Sequence, residues 1–195
     1  MNNTTRAWQR MLSGRRLDLL DPSPLDIELE DIAHGLARVA RWNGQTSGEA
    51  AFSVAQHSLL VDDIAARLNP GLTAAERLCV VLHDAAEYVI GDLITPFKTA
   101  VGADYKALEN RLMTAIRLRF GLPARESDQL KQLIKRADRI AAYLEATQLA
   151  GFSASEARRL FGHTKRFDAI TLVPWPPGKA KRQFLQRCQS LAKGL

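Results

Sequence analysis

The stretch LHDAAEYVIGD, residues 82–92, decides how the rest of the sequence is interpreted. It places His83, Asp84 and Glu87 in an otherwise apolar segment that continues the run LCVVL at residues 78–82. Moving an ionised carboxylate into a poorly solvated interior costs several kcal/mol unless a cation or hydrogen bonds compensate for it. The charged residues of this segment therefore indicate a chemical site.

The spacing of these residues is compatible with metal binding. His83, Asp84 and Glu87 fall within about one turn of a predicted helix, where positions three and four apart share a face. A divalent cation bound by the imidazole and a carboxylate would offset the buried charge. The segment is not the HExxH zinc signature, because Asp84 stands where that pattern has glutamate and Glu87 where it has the second histidine. The local pattern is suggestive and needs residues from elsewhere in the chain.

Apolar residues recur with helical spacing along most of the sequence, and no convincing alternating strand is found. Thr73 with Glu76 predicts a capping box, and Ser127 predicts a helix N-cap. The fold predicted from this pattern is all-α, a single helical bundle with about six to eight helices. The predicted helices span residues 24–42, 51–68, 74–90, 103–119, 128–150, 153–162 and 178–193.

Composition and charge limit the function only loosely. A chain of 195 residues can bury a core without disulfides, and Cys79 and Cys188 imply no disulfide framework. The sequence contains neither the apolar core of a signal peptide nor a membrane-spanning segment, so we expect a cytoplasmic protein without a membrane partner. The net charge of +6 favours anionic partners, although a basic, well-solvated surface explains it as well.

Two residues on other predicted helices extend the pattern. His57 lies in SVAQHS and Asp138 in KRADR. The order His57, then His83-Asp84, then Asp138, each on its own predicted helix, resembles the HD-domain metal-dependent phosphohydrolases. An HD-type bundle is the fold that this resemblance implies.

Longer stretches resemble one group of these enzymes more closely, the bacterial 5′-deoxynucleotidases. HDAAEYVIGDLITPFK resembles their HD segment, KRADRIAAYLEA their helix with the last aspartate, and Arg41-Trp42 their substrate-binding pair. The resemblance covers a motif core of about residues 38–147. Residues 1–195 are then expected to form a single phosphohydrolase domain, with an N-terminal extension (1–23) and a proline-linked C-terminal helix (174–195) packed on it.

The resemblance implies that one divalent metal ion is the cofactor. Its ligands would be His57, His83, Asp84 and Asp138, which leave positions for water and phosphate oxygen on an octahedral ion. Family members with two metals have further histidines between the HD pair and the last aspartate, and this chain has none there. The mixed nitrogen and oxygen donors do not distinguish Co, Mn, Fe, Ni, Zn and Mg.

The resemblance also assigns catalytic and substrate-binding positions. Glu87 would orient or deprotonate the attacking water, and Asp92 would contact substrate and assist catalysis. Arg41 would hold the 5′-phosphate, and Trp42 would form a wall against the sugar. The implied substrate-binding residues are Arg41, Trp42, Leu93, Ile94, Thr95 and Lys98.

The implied function is hydrolysis of a nucleotide phosphate, with 2′-deoxynucleoside 5′-monophosphates as substrates and metal-bound hydroxide as nucleophile. One alternative is a deoxynucleoside triphosphate triphosphohydrolase. Another is a non-catalytic, metal-containing module that binds a nucleotide or nucleic acid. The expected partner is the nucleotide substrate, nucleic acid is not expected, and a homodimer is expected only by analogy with similar enzymes.

Several site residues also have ordinary structural interpretations. His57 fits a hydrogen-bonded histidine on an apolar helix face. Asp138 fits a surface ion pair with Lys135 or Arg139, which would contribute little. Arg41 fits a residue that complements the dipole at a helix C-terminus.

Three further site residues also have ordinary structural interpretations. Trp42 fits a core residue, Glu87 a residue that orients a metal ligand, and Asp92 an N-cap.

The chain departs from the family pattern at two positions. Gln56 stands where related enzymes often have glutamate, and Ile94 replaces a proline of the substrate loop. These departures bear on substrate identity more than on the metal site.

Overall fold

The computed structural model describes residues 7–93 and 103–194, and this part of the chain contains eight α-helices. The predicted mostly helical bundle is therefore confirmed. None of these helices combines the length and the apolar character that crossing a membrane requires. The helices are α1 (Leu29–Leu36), α2 (Val54–Leu68), α3 (Ala74–Val81), α4 (Glu87–Ile90), α5 (Ala103–Arg119), α6 (Asp128–Gln148), α7 (Ala154–Phe161) and α8 (Pro177–Ala192).

A small hairpin precedes the helices and differs from the prediction that no strands would be present. Strand β1 (Trp8–Arg10) pairs antiparallel with β2 (Arg16–Asp18), with Gln9 opposite Leu17. Each strand has three residues, too few to display the alternation that identifies a strand in sequence. The hairpin is tied to the bundle through the buried side chain of Leu17.

Helix α2 lies at the centre of the bundle and contacts α3, α6 and α8. Eleven of its fifteen residues are buried, and these include the polar residues Gln56, His57, Ser58 and Asp62, as expected for a central helix that is covered on most sides. The predicted N-caps are confirmed: Thr73 and Glu76 form a capping box, and Ser127 Oγ accepts a hydrogen bond from the backbone of Leu130. These caps fix where α3 and α6 begin, and so how they meet α2.

The helix predicted at 24–42 is wrong in its extent. It is reduced to α1, followed by a 3₁₀ turn at Arg41–Gly44 in which Trp42 and Asn43 have left-handed φ values of 56° and 51°. The backbone N–H of Arg41 donates to the carbonyl of Phe52 at 2.8 Å. This pairing with a distant segment outweighs local helix propensity, which tertiary contacts commonly override.

The helix predicted at 74–90 is also interrupted, at the residues that carry the HD pair. Helix α3 ends at Val81 and α4 begins at Glu87. In a continuous helix, the carbonyl of Val80 would accept the N–H of Asp84. Here it accepts the backbone N–H of His83 at 3.2 Å and the His83 ring at 2.8 Å. The HD pair therefore lies in a tight turn, and the expectation that its residues share a helical face is wrong.

Polar contacts hold the C-terminal part of the chain to α2. The fully buried carboxylate of Asp62 pairs with Arg77 of α3, at 2.6 Å, and with Arg187 of α8. The side-chain amide of Gln56 donates to the carbonyl of Val173 at 2.8 Å and accepts the N–H of Trp175 at 2.9 Å. We call residues 173–175 the strap.

Gly35 provides a test of the packing between α1 and α4. A Cβ at this position would lie 2.8 Å from both the Cβ and the carbonyl oxygen of Tyr88. We expect Gly35→Ala to destabilise the protein by about 1–3 kcal/mol because α4 must move. In thermal denaturation each kcal/mol lowers the Tm of a chain this size by about 2–4 °C. Gly178→Ala is the control, since its Cβ meets only Arg182 Nη1 at 3.7 Å, and an unchanged Tm for Gly35→Ala would contradict this packing.

The two thiols provide a test of burial. Burial raises the pKa of Cys188 to about 12, with a further increase from Asp62, and burial also raises the pKa of Cys79. At pH 8 both groups are therefore protonated in the folded protein, whereas an unperturbed cysteine, with a pKa of about 8.5, is partly thiolate. We expect slow reaction with DTNB at pH 8 and rapid reaction of both thiols after guanidinium unfolding. Rapid labelling of the folded protein would show that these helices open readily.

Candidate functional site

The structure brings the four predicted metal ligands together. One side-chain nitrogen or oxygen from each of His57, His83 and Asp138 lies within 4.8 Å of the others. Asp84 Oδ2 lies 3.2 Å from His83 Nε2 and 3.6 Å from His57 Nε2. Asp138 Oδ1 lies 3.3 Å from His57 Nε2. We call these four residues the metal cluster.

Three elements supply the metal cluster. His57 projects from α2, Asp138 from α6, and His83 and Asp84 from the turn between α3 and α4. Because α2 packs against both α3 and α6, the arrangement follows from the core of the bundle. Asp138 faces His57, and within residues 7–93 and 103–194 no ion pair joins it to Lys135 or Arg139.

Hydrogen bonds to the Nδ1 atoms fix the orientation of both imidazoles. His83 Nδ1 lies 2.8 Å from the carbonyl oxygen of Val80, and His57 Nδ1 lies 2.6 Å from Glu145 Oε1. A carbonyl and a carboxylate only accept, so each Nδ1 carries the proton. Each Nε2 of a neutral ring then presents a lone pair. Both Nε2 atoms are buried, and neither has a hydrogen-bond partner in the part of the chain that the structure describes.

The donors of the metal cluster fit a divalent cation. Two lone-pair nitrogens and two carboxylates face one another, and such groups repel unless a positive charge lies between them. Imidazole nitrogens held by hydrogen bonds at the opposite ring atom are typical of metal ligands. Access is from one side, because the side chains of Asp84 and Asp138 are 25% and 41% exposed whereas His57 is fully buried.

Glu145 is a residue of the site that sequence analysis did not identify. It lies on α6, is fully buried, and contacts His57 through Oε1. Two signals in the sequence point to it. It follows Asp138 by seven residues, two helical turns, and it is the single charged residue in the stretch AAYLEA at 141–146.

Arg41 lies beside the metal cluster between two carboxylates. Its Nη1 donates to Asp92 Oδ2 at 2.9 Å and its Nε to Glu145 Oε2 at 3.3 Å. Among the described residues, Nη2 has no hydrogen-bond partner. Asp92 has a side chain only 7% exposed and therefore lies inside the site as an ion-pair partner of Arg41.

Trp42 is held in the same site by a polar and an aromatic contact. Its Nε1–H donates to Glu145 Oε2 at 2.9 Å. Its ring packs against Phe152 and Phe161, with centroid distances of 5.5 and 5.9 Å. Arg41 and Trp42 thus share one carboxylate oxygen of Glu145, whose other oxygen contacts His57.

The pKa shifts show that the site stabilises positive charge. Burial and Arg41 lower the pKa of His57, but Glu145 and Asp138 outweigh them and raise it to about 10. Burial raises the pKa of Glu145, but His57 and Arg41 lower it to about 2. Burial also lowers the pKa of Arg41, but Glu145 and Asp92 raise it above its usual value.

The remaining predicted residues fall in two groups. Glu87, 2% exposed, begins α4, and its backbone N–H donates to the carbonyl of Asp84 at 3.0 Å. Leu93, directly after Asp92, is half-buried. The other predicted substrate-binding residues lie outside the described part of the chain and stay predictions: Ile94, Thr95 and Lys98.

Three proteins illustrate what the chain is similar to. It is 57% identical over 194 residues to an uncharacterised protein of Rhodobacter capsulatus, covering 97% of this chain and 98% of that protein. It is 30% identical over 168 residues to the uncharacterised Escherichia coli protein YfdR, covering 86% of each. It is 32% identical to the E. coli 5′-deoxynucleotidase YfbR over 119 residues, which are 49% of this chain and 60% of YfbR. No family model matches the chain.

Metal binding by the cluster is directly testable. We expect calorimetric titration with Zn²⁺ or Mn²⁺ to give one site per chain, and His83→Ala or Asp138→Asn to lose it because each removes a donor. At a metal concentration of about 100 times Kd, binding should stabilise the parent by about 2.7 kcal/mol, measured in denaturant melts. His163→Ala is the control, since that histidine pairs with Asp168 at 2.9 Å outside the cluster. Binding by the two cluster variants with parental affinity would exclude this site.

Proposed function

Because the chain belongs to the same family as YfdR and the R. capsulatus protein and is also similar to the 5′-deoxynucleotidase YfbR, we propose that it is a metal-dependent phosphohydrolase acting on nucleotides. The similarity to YfbR supports a relation to the HD-domain enzymes. The proposed substrates are 2′-deoxynucleoside 5′-monophosphates, and the reaction transfers the phosphate to water.

One observation carries the proposal: the metal cluster lies next to an arginine whose charge is fixed by two carboxylates. Phosphate-ester hydrolysis requires a nucleophilic water and positive charge around the phosphorus. Arg41 contacts Glu145, and Glu145 contacts His57. A single residue, Glu145, therefore connects the guanidinium to the metal cluster. A site used only for structure would not need this arginine.

The proposed ligands of the ion are His57, His83, Asp84 and Asp138. When bound there, a divalent ion would supply Lewis acidity and a water of lowered pKa. The protein orients the two imidazoles through Val80 and Glu145, so that both Nε2 atoms point to the same space. The partly exposed carboxylates of Asp84 and Asp138 leave the cluster open toward substrate.

Glu87 is proposed to take up the proton of the attacking water. It follows the HD turn directly and is 2% exposed, so its carboxylate is screened from bulk solvent. General bases placed within hydrogen-bond reach of the reacting water accelerate hydrolysis by about 10²–10⁴-fold. This role requires a carboxylate that is not itself one of the four metal ligands.

Arg41 is proposed to bind the phosphate and to stabilise the charge that develops on it. Nη1 and Nε bind Asp92 and Glu145, and within residues 7–93 and 103–194 Nη2 is the guanidinium nitrogen that remains for substrate. Fixing the guanidinium in advance lowers the reorganisation needed in the transition state. Asp92 then assists catalysis by orienting Arg41.

Trp42 and Leu93 are proposed to enclose the sugar. Trp42 lies next to Arg41, and its ring is kept in place by Phe152 and Phe161. Attraction to a rigid ring differs little between the two kinds of sugar. The ring selects by steric exclusion, because it leaves no room for the additional 2′-hydroxyl of a ribonucleotide. This arrangement supports a preference for 2′-deoxynucleotides over ribonucleotides.

A nucleotide panel tests the proposal. Purified protein loaded with Zn²⁺, Mn²⁺, Co²⁺ or Mg²⁺ is incubated with ribo- and deoxyribonucleoside mono- and triphosphates, and released phosphate and triphosphate are measured. We expect phosphate from deoxynucleoside monophosphates. Triphosphate from deoxynucleoside triphosphates would instead identify a triphosphohydrolase, and no product with any metal would reject the enzymatic proposal.

A single substitution tests the role of Glu87. We expect Glu87→Gln to lower kcat about 100-fold or more because the amide cannot accept the proton. Zn²⁺ affinity measured by calorimetry should stay at the parental value, since Glu87 is not a proposed ligand. Glu49→Gln, at an exposed position, is the matched control. If Glu87→Gln turns over substrate at the parental rate, another group accepts the proton.

A further inference from the structure

Glu145 joins two parts of the site that are distant in sequence. Its Oε1 lies 2.6 Å from His57 Nδ1, and its Oε2 accepts Trp42 Nε1–H at 2.9 Å and Arg41 Nε–H at 3.3 Å. The residue is fully buried, so water does not compete for these bonds. One carboxylate therefore contacts the proposed metal ligand on one side and the proposed nucleotide-binding pair on the other.

The turn that carries this pair is held in an unfavourable backbone conformation. Trp42 has φ 56° and ψ 30°, and Asn43 has φ 51° and ψ 32°. For a bulky residue the left-handed region is an outlier that costs on the order of 1–3 kcal/mol and persists only where the surroundings enforce it. The indole N–H bond to Glu145 is one of the contacts that enforce it.

We propose that Glu145 is a positioning residue that couples cation binding at His57 to nucleotide binding at Arg41 and Trp42. The inference rests on the proposed function for the identity of the two ligands. In this proposal Glu145 contacts neither the cation nor the nucleotide. It predicts that each ligand favours the other's binding, because coupling between two sites is reciprocal.

The coupling follows from the hydrogen bonds. With a cation held at Nε2, the His57 ring would lose electron density, and its Nδ1–H would become a stronger donor to Glu145 Oε1. The tightened bond fixes the carboxylate plane, and with it the position of Oε2. Arg41 and Trp42 then have a fixed acceptor, so less conformational freedom is lost when the nucleotide binds.

Glu145→Gln separates the two sides without changing the size of the side chain. If the amide oxygen faces His57, the amide NH₂ faces the donors of Arg41 and Trp42. If the amide is reversed, its NH₂ faces His57 Nδ1, and the ring must present Nδ1 as an acceptor and lose the Nε2 lone pair. In either orientation only one half of the site keeps its partner.

The test follows Trp42 by fluorescence as Zn²⁺ is added, without nucleotide. The chain has three tryptophans, so Trp8→Phe and Trp175→Phe leave Trp42 as the single tryptophan. Zn²⁺ is used because it has a filled d shell and no redox chemistry. We expect Zn²⁺ to shift the emission of Trp42 and reduce its quenching by acrylamide. In Glu145→Gln we expect that response to be lost at saturating Zn²⁺, with affinity about 10–100-fold weaker.

The control is Asp62→Asn, which alters another fully buried carboxylate paired with arginine on the same helix as His57. We expect Asp62→Asn to lower stability, because Arg77 and Arg187 lose their charged partner, and to leave the Zn²⁺ response of Trp42 intact. A parental response in Zn²⁺-loaded Glu145→Gln overturns the proposal. In turnover assays the same variant should raise KM more than it lowers kcat, because substrate positioning is affected and Glu87 is untouched.

A measurement on the unsubstituted chain makes the test independent of the folding of any variant. The Nε1–H resonance of Trp42 is followed by NMR during Zn²⁺ titration, and we expect a shift that saturates with metal binding. No shift on full Zn²⁺ occupancy overturns the proposal. This measurement contains no nucleotide, so its outcome is independent of the nucleotide assay. If Trp42 responds to Zn²⁺ but no nucleotide is hydrolysed, only the proposed function is rejected. If nucleotides are hydrolysed but Trp42 does not respond, only the coupling is rejected.

Discussion

The structure depends on an electrostatic constraint at its centre: two histidine nitrogens, each an acceptor while its ring is neutral, face two carboxylates. The orientations of His57 and His83 are fixed because their other ring nitrogens are bound by Glu145 and Val80. Rotating either ring would break a buried hydrogen bond, so the repulsion is relieved by a positive charge rather than by movement. The packing of α2 against α3 and α6 holds all four groups in range. The fold thus gathers four side chains whose donor atoms fit a cation.

The same constraint organises the neighbouring residues. Arg41 is a permanent positive charge beside the cluster, and it is secured by Asp92 and Glu145 rather than by solvent. The left-handed turn at Trp42 brings the indole to the same carboxylate and costs backbone energy. Strain of this kind is commonly concentrated where function requires a particular geometry.

Sequence patterns predicted the helical class, and the resemblance to HD-domain enzymes supplied the four residues of the metal cluster. The structure differs where long-range contacts override local preference. Apolar periodicity identified α2 and α6 because their buried faces follow the helical repeat. It missed the break at 82–86, where the His83 ring hydrogen-bonds the carbonyl of Val80. It also missed the turn at Trp42, which depends on the carbonyl of Phe52. Glu145 was overlooked because its partners come from residues about a hundred positions away, beyond the reach of spacing rules.

Gln56 has a consequence for how relatives of this chain are recognised. Its amide donates to the carbonyl of Val173 and accepts from the N–H of Trp175, and a glutamate there would lack the donor. The side chain that precedes His57 thus has a structural role, since it attaches the strap to α2. A relative with glutamate at this position would have to hold its C-terminal segment through different atoms, so the two features should differ together.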